Sequence, residues 1–262
     1  MKIAIQESLI TGRDAAERFD RAASFGFEGI EVGWRNLAER VVELKRASRN
    51  SGLPISTICS GSPHDPLALY PQERGERLDR MVELLELADE LGAVGSICVP
   101  IRRSLSFPDL SPAFSTRELI SKLAAEMLAQ AVHRTEGLKA LVLLEPLNRY
   151  EAHYLCTLSD GVELAQMVDH PRVKVMADFF HMNIEEADIE TSILAAGDWI
   201  RHVHLADSNR MLPGQGHTDF EAGFAALEEI GFQGFMALEC GVLGDPEVEL
   251  PRSVKFMRSL IA

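Results

Sequence analysis

The sequence predicts an α/β fold, one (β/α)8 TIM-type barrel spanning residues 1–262. Three observations carry this. Eight short apolar runs recur, each followed by a stretch with helical patterning. The runs are apolar at nearly every position, as strands buried on both faces of a parallel sheet must be. The length of 262 residues suits one barrel, and no linker, low-complexity segment or close repeat divides it.

The runs in order are KIAIQ (2–6), GIEVGW (29–34), LPISTIC (53–59), VGSICVP (94–100), ALVLLE (140–145), VKVMAD (173–178), IRHVHL (200–205) and GFMALE (234–239). Between them, GERLDRMVELLELADELG sets Leu78, Met81, Val82, Leu85 and Leu91 on one helical face, with Gly92 as the stop. STRELISKLAAEMLAQAV opens with a capping box, Ser115 to Glu118. TDFEAGFAALEEIG starts at Asp219 and stops at Gly231, and PGQGHTDF before it reads as a turn, because it lacks the Lys-Ser/Thr ending of a phosphate loop. Residues 100–114 form the longest irregular stretch, a candidate lid carrying Arg102 and Arg103.

Composition narrows the function. The formal charge is −14, and a nucleic-acid binder needs a basic face, so no nucleic-acid partner is expected. No apolar run approaches the ~18 residues of a membrane span. The chain opens on a strand pattern rather than a secretory leader, and Cys59, Cys98, Cys156 and Cys240 form no CxxC pair. Reduced thiols and a cytoplasmic location are therefore expected.

In such a barrel the chemistry sits at the C-terminal ends of the strands. The last four strand ends supply Glu145, Asp178, His204 and Glu239. Three carboxylates brought that close repel one another, and a divalent cation relieves the repulsion by taking their oxygens as ligands. Three oxygen donors and one imidazole suit Mn2+, with Mg2+, Co2+ and Zn2+ as alternatives. Each strand end also leads to a second polar residue, Glu151, His181 or Arg210, on a loop that would overhang the cluster; contact with substrate hydroxyls is one reading, and the residues alone favour the structural one. Each has an ordinary structural alternative. Glu151 would pair with Arg149 or Lys139, His181 would cap the next helix, and Arg210 would pair with Asp207. His202 alternates with His204 and reads as an inward-facing supporting histidine rather than a ligand. Trp34, Cys59, Cys98 and Cys240 lie near strand ends, where pocket lining and simple packing are both open, and His64 lies on a catalytic-face loop.

The segments LLEPLNRYE, DFFHMNIEE, HVHLADSNRMLPGQGH and ALEC resemble the ligand-bearing segments of the xylose-isomerase-like barrels, within them the sugar isomerase/epimerase family of ketose 3-epimerases and hydroxypyruvate isomerases. The resemblance implies that Glu145, Asp178, His204 and Glu239 bind the metal, that Glu145 and Glu239 are the acid/base pair, and that Glu151, His181 and Arg210 hold substrate oxygens. It implies a small-molecule sugar or keto acid as partner, with homo-oligomerisation left open. The segments QESLI and CSGSPHDP do not match the aromatic-rich pocket of the free-ketose epimerases. The expected reaction is proton transfer through a metal-stabilised enediolate, giving an epimerase or isomerase of a small ketose or hydroxy-keto acid. The alternatives are a metal-dependent dehydratase of a keto-cyclitol or related keto-sugar and a non-catalytic sugar-binding subunit. A related DNA-repair endonuclease would need further histidines and a basic groove.

Overall fold

The structure, a computed structural model, describes residues 1–100, 107 and 109–261. Arg102, Arg103 and the rest of 101–106 and 108 in the candidate lid lie outside the described residues. Eight parallel strands close on themselves in chain order: β1 Lys2–Gln6, β2 Gly29–Gly33, β3 Ile55–Cys59, β4 Gly95–Cys98, β5 Leu141–Leu144, β6 Val173–Asp178, β7 Ile200–Leu205 and β8 Phe235–Leu238. The expected (β/α)8 barrel is therefore what the chain forms. Strand β1 closes the ring on β8, with Ile3 opposite Met236 and Ile5 opposite Leu238. Among the described residues, no helix is long and apolar enough to cross a membrane.

Period-two alternation explains the two-sided apolar pattern of the strands. Ile3, Ile5, Ile30, Val32, Val142, Leu144, Val175, Val203, Leu205, Met236 and Leu238 join the large cluster beneath the helices. Their alternates point into the barrel. Ile97, Leu143 and Met176 form one inner layer, and Ala4, Phe235 and Ala237 a lower one. Burying each such large aliphatic or aromatic side chain contributes roughly 1.5–3 kcal/mol.

The surrounding helices are α1 Ala15–Ser24, α2 Leu37–Ser51, α3 Pro71–Leu91, α4 Thr116–Arg134, α5 Leu158–Val168, α6 Phe179–Glu185, α7 Ile189–Ala196, α8 Phe220–Glu229 and α9 Pro246–Ser259. The capping box of α4 forms as expected, and Asp219 caps α8 by accepting from the Ala222 N–H at 3.1 Å. Gly92 ends α3 in the left-handed region. Two details differ from the sequence reading. Helix α3 starts at Pro71, before the expected Gly75, because proline's fixed φ suits a first helical turn. Strand β6 is followed by two short helices where one was expected, because Asp188 starts a new helix by accepting from the Thr191 N–H.

One close approach sets a firm limit on sequence. A Cβ on Gly95 would sit 2.1 Å from the Leu141 carbonyl oxygen, on the strand beside it. Backbone cannot yield as a flexible side chain does. Gly95→Ala should therefore destabilise the fold by about 1–3 kcal/mol or more, seen as a melting temperature lower by several degrees. An unchanged melting temperature would show that β4 and β5 have room to part.

Candidate active site

Alternation brings six polar side chains to the inside of the barrel at one end. Gln6 closes β1, Glu31 lies within β2, Glu145 and Glu239 follow β5 and β8, Asp178 ends β6, and His204 is the penultimate residue of β7. The register places Asp178 directly opposite His204.

The imidazole of His204 organises the group. Its Nδ1 lies 3.5 Å from Glu145 Oε1, 3.6 Å from Asp178 Oδ2 and 3.3 Å from Glu239 Oε2. That nitrogen is fully buried and makes no hydrogen bond. Its other nitrogen, Nε2, sits 3.1 Å from both oxygens of Glu31. Glu31 also takes the Thr57 hydroxyl at 2.6 Å, the Gln6 amide at 2.9 Å and His202 Nε2 at 2.9 Å. Gln6 uses the same amide nitrogen to reach Glu239 Oε1 at 2.9 Å. A carboxylate held by its histidine's far nitrogen fixes both tautomer and ring orientation.

The electrostatics follow from burial and crowding. Burial pushes the Glu145 carboxyl above its ordinary range despite the pull of His204. Burial opposes charge on Asp178 too, yet His181 and His204 hold it at about 2. Burial disfavours a charged His204, but Glu31 and Glu239 lift its pKa well above the usual value. Burial lowers that of His202, although its Nε2 lies 2.9 Å from Glu31. The cluster thus calls for positive charge at Nδ1 of His204.

These residues fit a divalent cation. Glu145, Asp178, His204 and Glu239 each offer one ligand atom, all within 4.8 Å of one another. Glu31, His202 and His204 meet the same distance limit, but their atoms already hydrogen-bond one another at 2.9 and 3.1 Å. The first set, with its unpartnered nitrogen and three carboxylates, is the one whose chemistry lacks a charge.

Asp178 also has a local role. Its Oδ1 accepts from the His181 N–H at 3.0 Å and caps α6, while Oδ2 faces His204. A buried strand ends on a carboxylate here because one oxygen starts a helix and the other faces the cluster. His181 therefore does not cap a helix; it lies inside α6 and is capped. Its Nδ1 accepts from the Asn148 backbone N–H at 3.2 Å, so its proton is on Nε2. Nε2 is buried without a hydrogen-bond partner, 3.9 Å from Asp178 Oδ2.

The structure joins Glu151, His181 and Arg210 through Asn148. The Asn148 side-chain amide lies 2.8 Å from His181 Nδ1 and donates to Glu151 Oε1 at 3.1 Å, and Glu151 pairs with Arg210 at 2.8 Å. Arg210 also reaches to 3.7 Å from Glu239 Oε2 and lies over the Phe180 ring. The alternative pairings do not form. Arg149 goes to Glu185, and Arg210 meets Asp207 only through its backbone N–H. Asp207 instead accepts from the N–H groups of Ser208, Gly214 and Thr218, which ties down the loop carrying Arg210. Arg210 itself sits at φ 59°, in the sparsely populated left-handed region.

The sequence reading missed Glu31, Gln6, Thr57 and Asn148. Glu31 left one signal, a carboxylate in the middle of the apolar run GIEVGW. Of the residues left open, Trp34 and Cys59 line a cavity beside the cluster, and His64 packs edge-on against Trp34. All four cysteines are free thiols.

Residues 19–260 match the family described as xylose isomerase-like TIM barrel. The 3-dehydro-D-guloside 4-epimerase of Escherichia coli (strain K12) is 31% identical over 99% of this chain and 100% of its own. The L-ribulose 3-epimerase of Methylomonas sp. (strain DH-1) is 40% identical over 83% of this chain and 75% of its own. Among solved structures, an E. coli 3-keto-D-glucoside 4-epimerase superposes with a TM-score of 0.87 at 31% identity, covering 99% of both chains. With these matches on top of the barrel and its cluster, the chain belongs to the xylose isomerase-like TIM-barrel family.

Proposed function

We propose that the protein is a divalent-metal-dependent epimerase of a keto-sugar, an isomerase-class enzyme. The observation that carries this is the buried, unpartnered Nδ1 of His204, ringed by Glu145, Asp178 and Glu239 at 3.3 to 3.6 Å. The relatives support it, being sugar 3- and 4-epimerases by name.

Glu145, Asp178, His204 and Glu239 would hold the ion, Mn2+ ahead of Mg2+, Co2+ or Zn2+. When bound, it supplies positive charge that stabilises the enediolate oxygens. The chain's own residues move the protons. A hydrogen beside a ketone is weakly acidic, so its removal needs a fixed base and a place for the charge. Glu145 and Glu239 project from strands three apart, one from each side of the cluster. One removes the proton, the other returns one to the opposite face, and the carbon inverts. Returning the proton to the neighbouring carbon would instead interconvert aldose and ketose.

Glu151 and Arg210 hold substrate hydroxyls, the carboxylate accepting and the guanidinium donating. His181 offers its Nε2–H to a substrate oxygen. Asn148 keeps that proton on Nε2 by donating to Nδ1, and also fixes Glu151.

The test is isotope exchange. Glu145→Gln and Glu239→Gln keep shape and an oxygen but lose the proton carrier, so each should lose ~10²–10⁴-fold in turnover. With metal content confirmed, each variant should exchange solvent deuterium into one epimer only, followed by NMR. Near-normal epimerisation in both would remove this pair from the acid–base role.

A second expectation concerns Glu31, which would act on the ion only through His204. Glu31→Gln should weaken Mn2+ binding ~10–100-fold by calorimetry, because the far nitrogen loses its carboxylate. Unchanged affinity would mean that the ring is held by packing alone.

A further inference from the structure

The two glutamates proposed to move protons are held differently. Glu145 is nearly buried, and its Oε1 meets His204 Nδ1 at 3.5 Å. Glu239 stands on the open side of the cluster, its side chain 22% exposed against 4% for Glu145. Close burial can fix Glu145 in place. It fixes Glu239 less firmly, and the last torsion of a glutamate is broad, so the rotamer alone does not set the plane of the carboxylate. A base must present its lone pair within roughly 10–20° of the productive direction. A neighbour of Glu239 therefore has to set that plane.

Gln6 is that neighbour. Strand register sets it beside Glu31. Its amide nitrogen donates to Glu31 Oε1 at 2.9 Å and to Glu239 Oε1 at 2.9 Å. An amide nitrogen carries two hydrogens, and both are used here. The amide cannot turn over, because its oxygen would then face two carboxylates; that oxygen accepts instead from the Ser8 hydroxyl at 3.4 Å. The other oxygen of Glu239, Oε2, faces His204 Nδ1 at 3.3 Å, and His204 Nε2 returns to Glu31 Oε1 at 3.1 Å. Gln6, Glu31, His204 and Glu239 thus close a ring of contacts. Without Gln6, Glu31 would keep Thr57 and His202. Glu239 would keep His204 and, at 3.7 Å, Arg210, both on Oε2; nothing among the described residues would hold Oε1.

We propose that Gln6 is the positioning residue for Glu239. It sets the plane of that carboxylate, with Oε2 toward the cation site and one lone pair of Oε1 left for the proton. This rests on the epimerase reading and adds an asymmetry to it: one face of the substrate meets a base braced by a hydrogen bond, the other a base held by burial. The position calls for a neutral double donor of this length. A carboxylate there would bring another negative charge to the mouth, and an apolar chain would donate nothing.

The test compares the two epimers of one substrate. Mn2+-loaded protein is given the best used of D-psicose, L-ribulose and a methyl 3-keto-D-glucoside. Entry of solvent deuterium at the inverting carbon is followed by NMR for each epimer separately. Glu239→Gln identifies the epimer whose hydrogen faces Glu239, as the one it no longer exchanges. Gln6→Met keeps the length of the side chain and loses both hydrogen bonds. At saturating Mn2+ it should slow exchange of that same epimer by ~10–100-fold and leave the other within about threefold. The ratio of two rates in one preparation does not depend on how much of it is folded. Equal slowing of both epimers would show that Gln6 acts through the ion or the fold, and no slowing would show that Glu239 holds its own plane; either overturns the proposal. Normal exchange of both epimers by Glu239→Gln overturns the acid–base assignment and this proposal with it. Exchange with none of the three sugars by the unaltered protein overturns the epimerase reading as well.

Discussion

One nitrogen atom sets the terms for this molecule. His204 Nδ1 is buried, has no hydrogen-bond partner, and is surrounded by three carboxylates. Removing one partner from a buried charged group typically costs about 3–5 kcal/mol, so such a cluster persists only where positive charge compensates it. Protonated imidazole supplies one unit, and a divalent ion would supply more. The Glu31 carboxylate determines which nitrogen faces the cluster, because it binds Nε2 and leaves Nδ1 pointing at the acids. His202, Thr57 and Gln6 then hold Glu31.

The fold provides this arrangement through strand alternation. On β5 to β8 the outward positions carry Leu144, Ala177, Val203, Leu205 and Leu238 into the helical layer, which leaves Glu145, Asp178, His204 and Glu239 facing inward. A slip of one residue in any of these strands would exchange the two sets. The loops beyond the strands are held by polar bonds instead. Asn148 joins His181 to Glu151, and Asp207 gathers the N–H groups of the loop that presents Arg210. The strained backbone of Arg210 is kept by bonds on both sides, its N–H to Asp207 and its carbonyl to the Gly241 N–H.

Much of this was legible in the sequence, for reasons that can be named. Parallel strands buried on both faces read as apolar runs, so a charged residue at the end of one stands out; that exposed Asp178, Glu145 and Glu239. Periodicity and caps gave α4 and α8. Glu31 was hidden because it sits mid-strand, where its inward direction depends on register and not on local composition. Gln6 and Asn148 were hidden because a neutral amide carries no charge signal. The pairings of Glu151 and Arg210 depend on two loops 59 residues apart meeting in space, which no local pattern encodes. The cavity beside the cluster likewise takes its lining from α1, α2 and two loops, where Arg18, Arg40, Ser8 and Ser62 meet.

The central claim is that Glu145, Asp178, His204 and Glu239 form one cation site. The most direct measurement is an anomalous difference map, collected near the manganese absorption edge, from crystals grown with Mn2+. The account predicts a single strong peak bonded to those four side chains, with His204 contributing Nδ1 and its Nε2 still on Glu31. A peak among Glu31, His202 and His204, or no peak at Nδ1 in crystals that take up Mn2+ elsewhere, would contradict it.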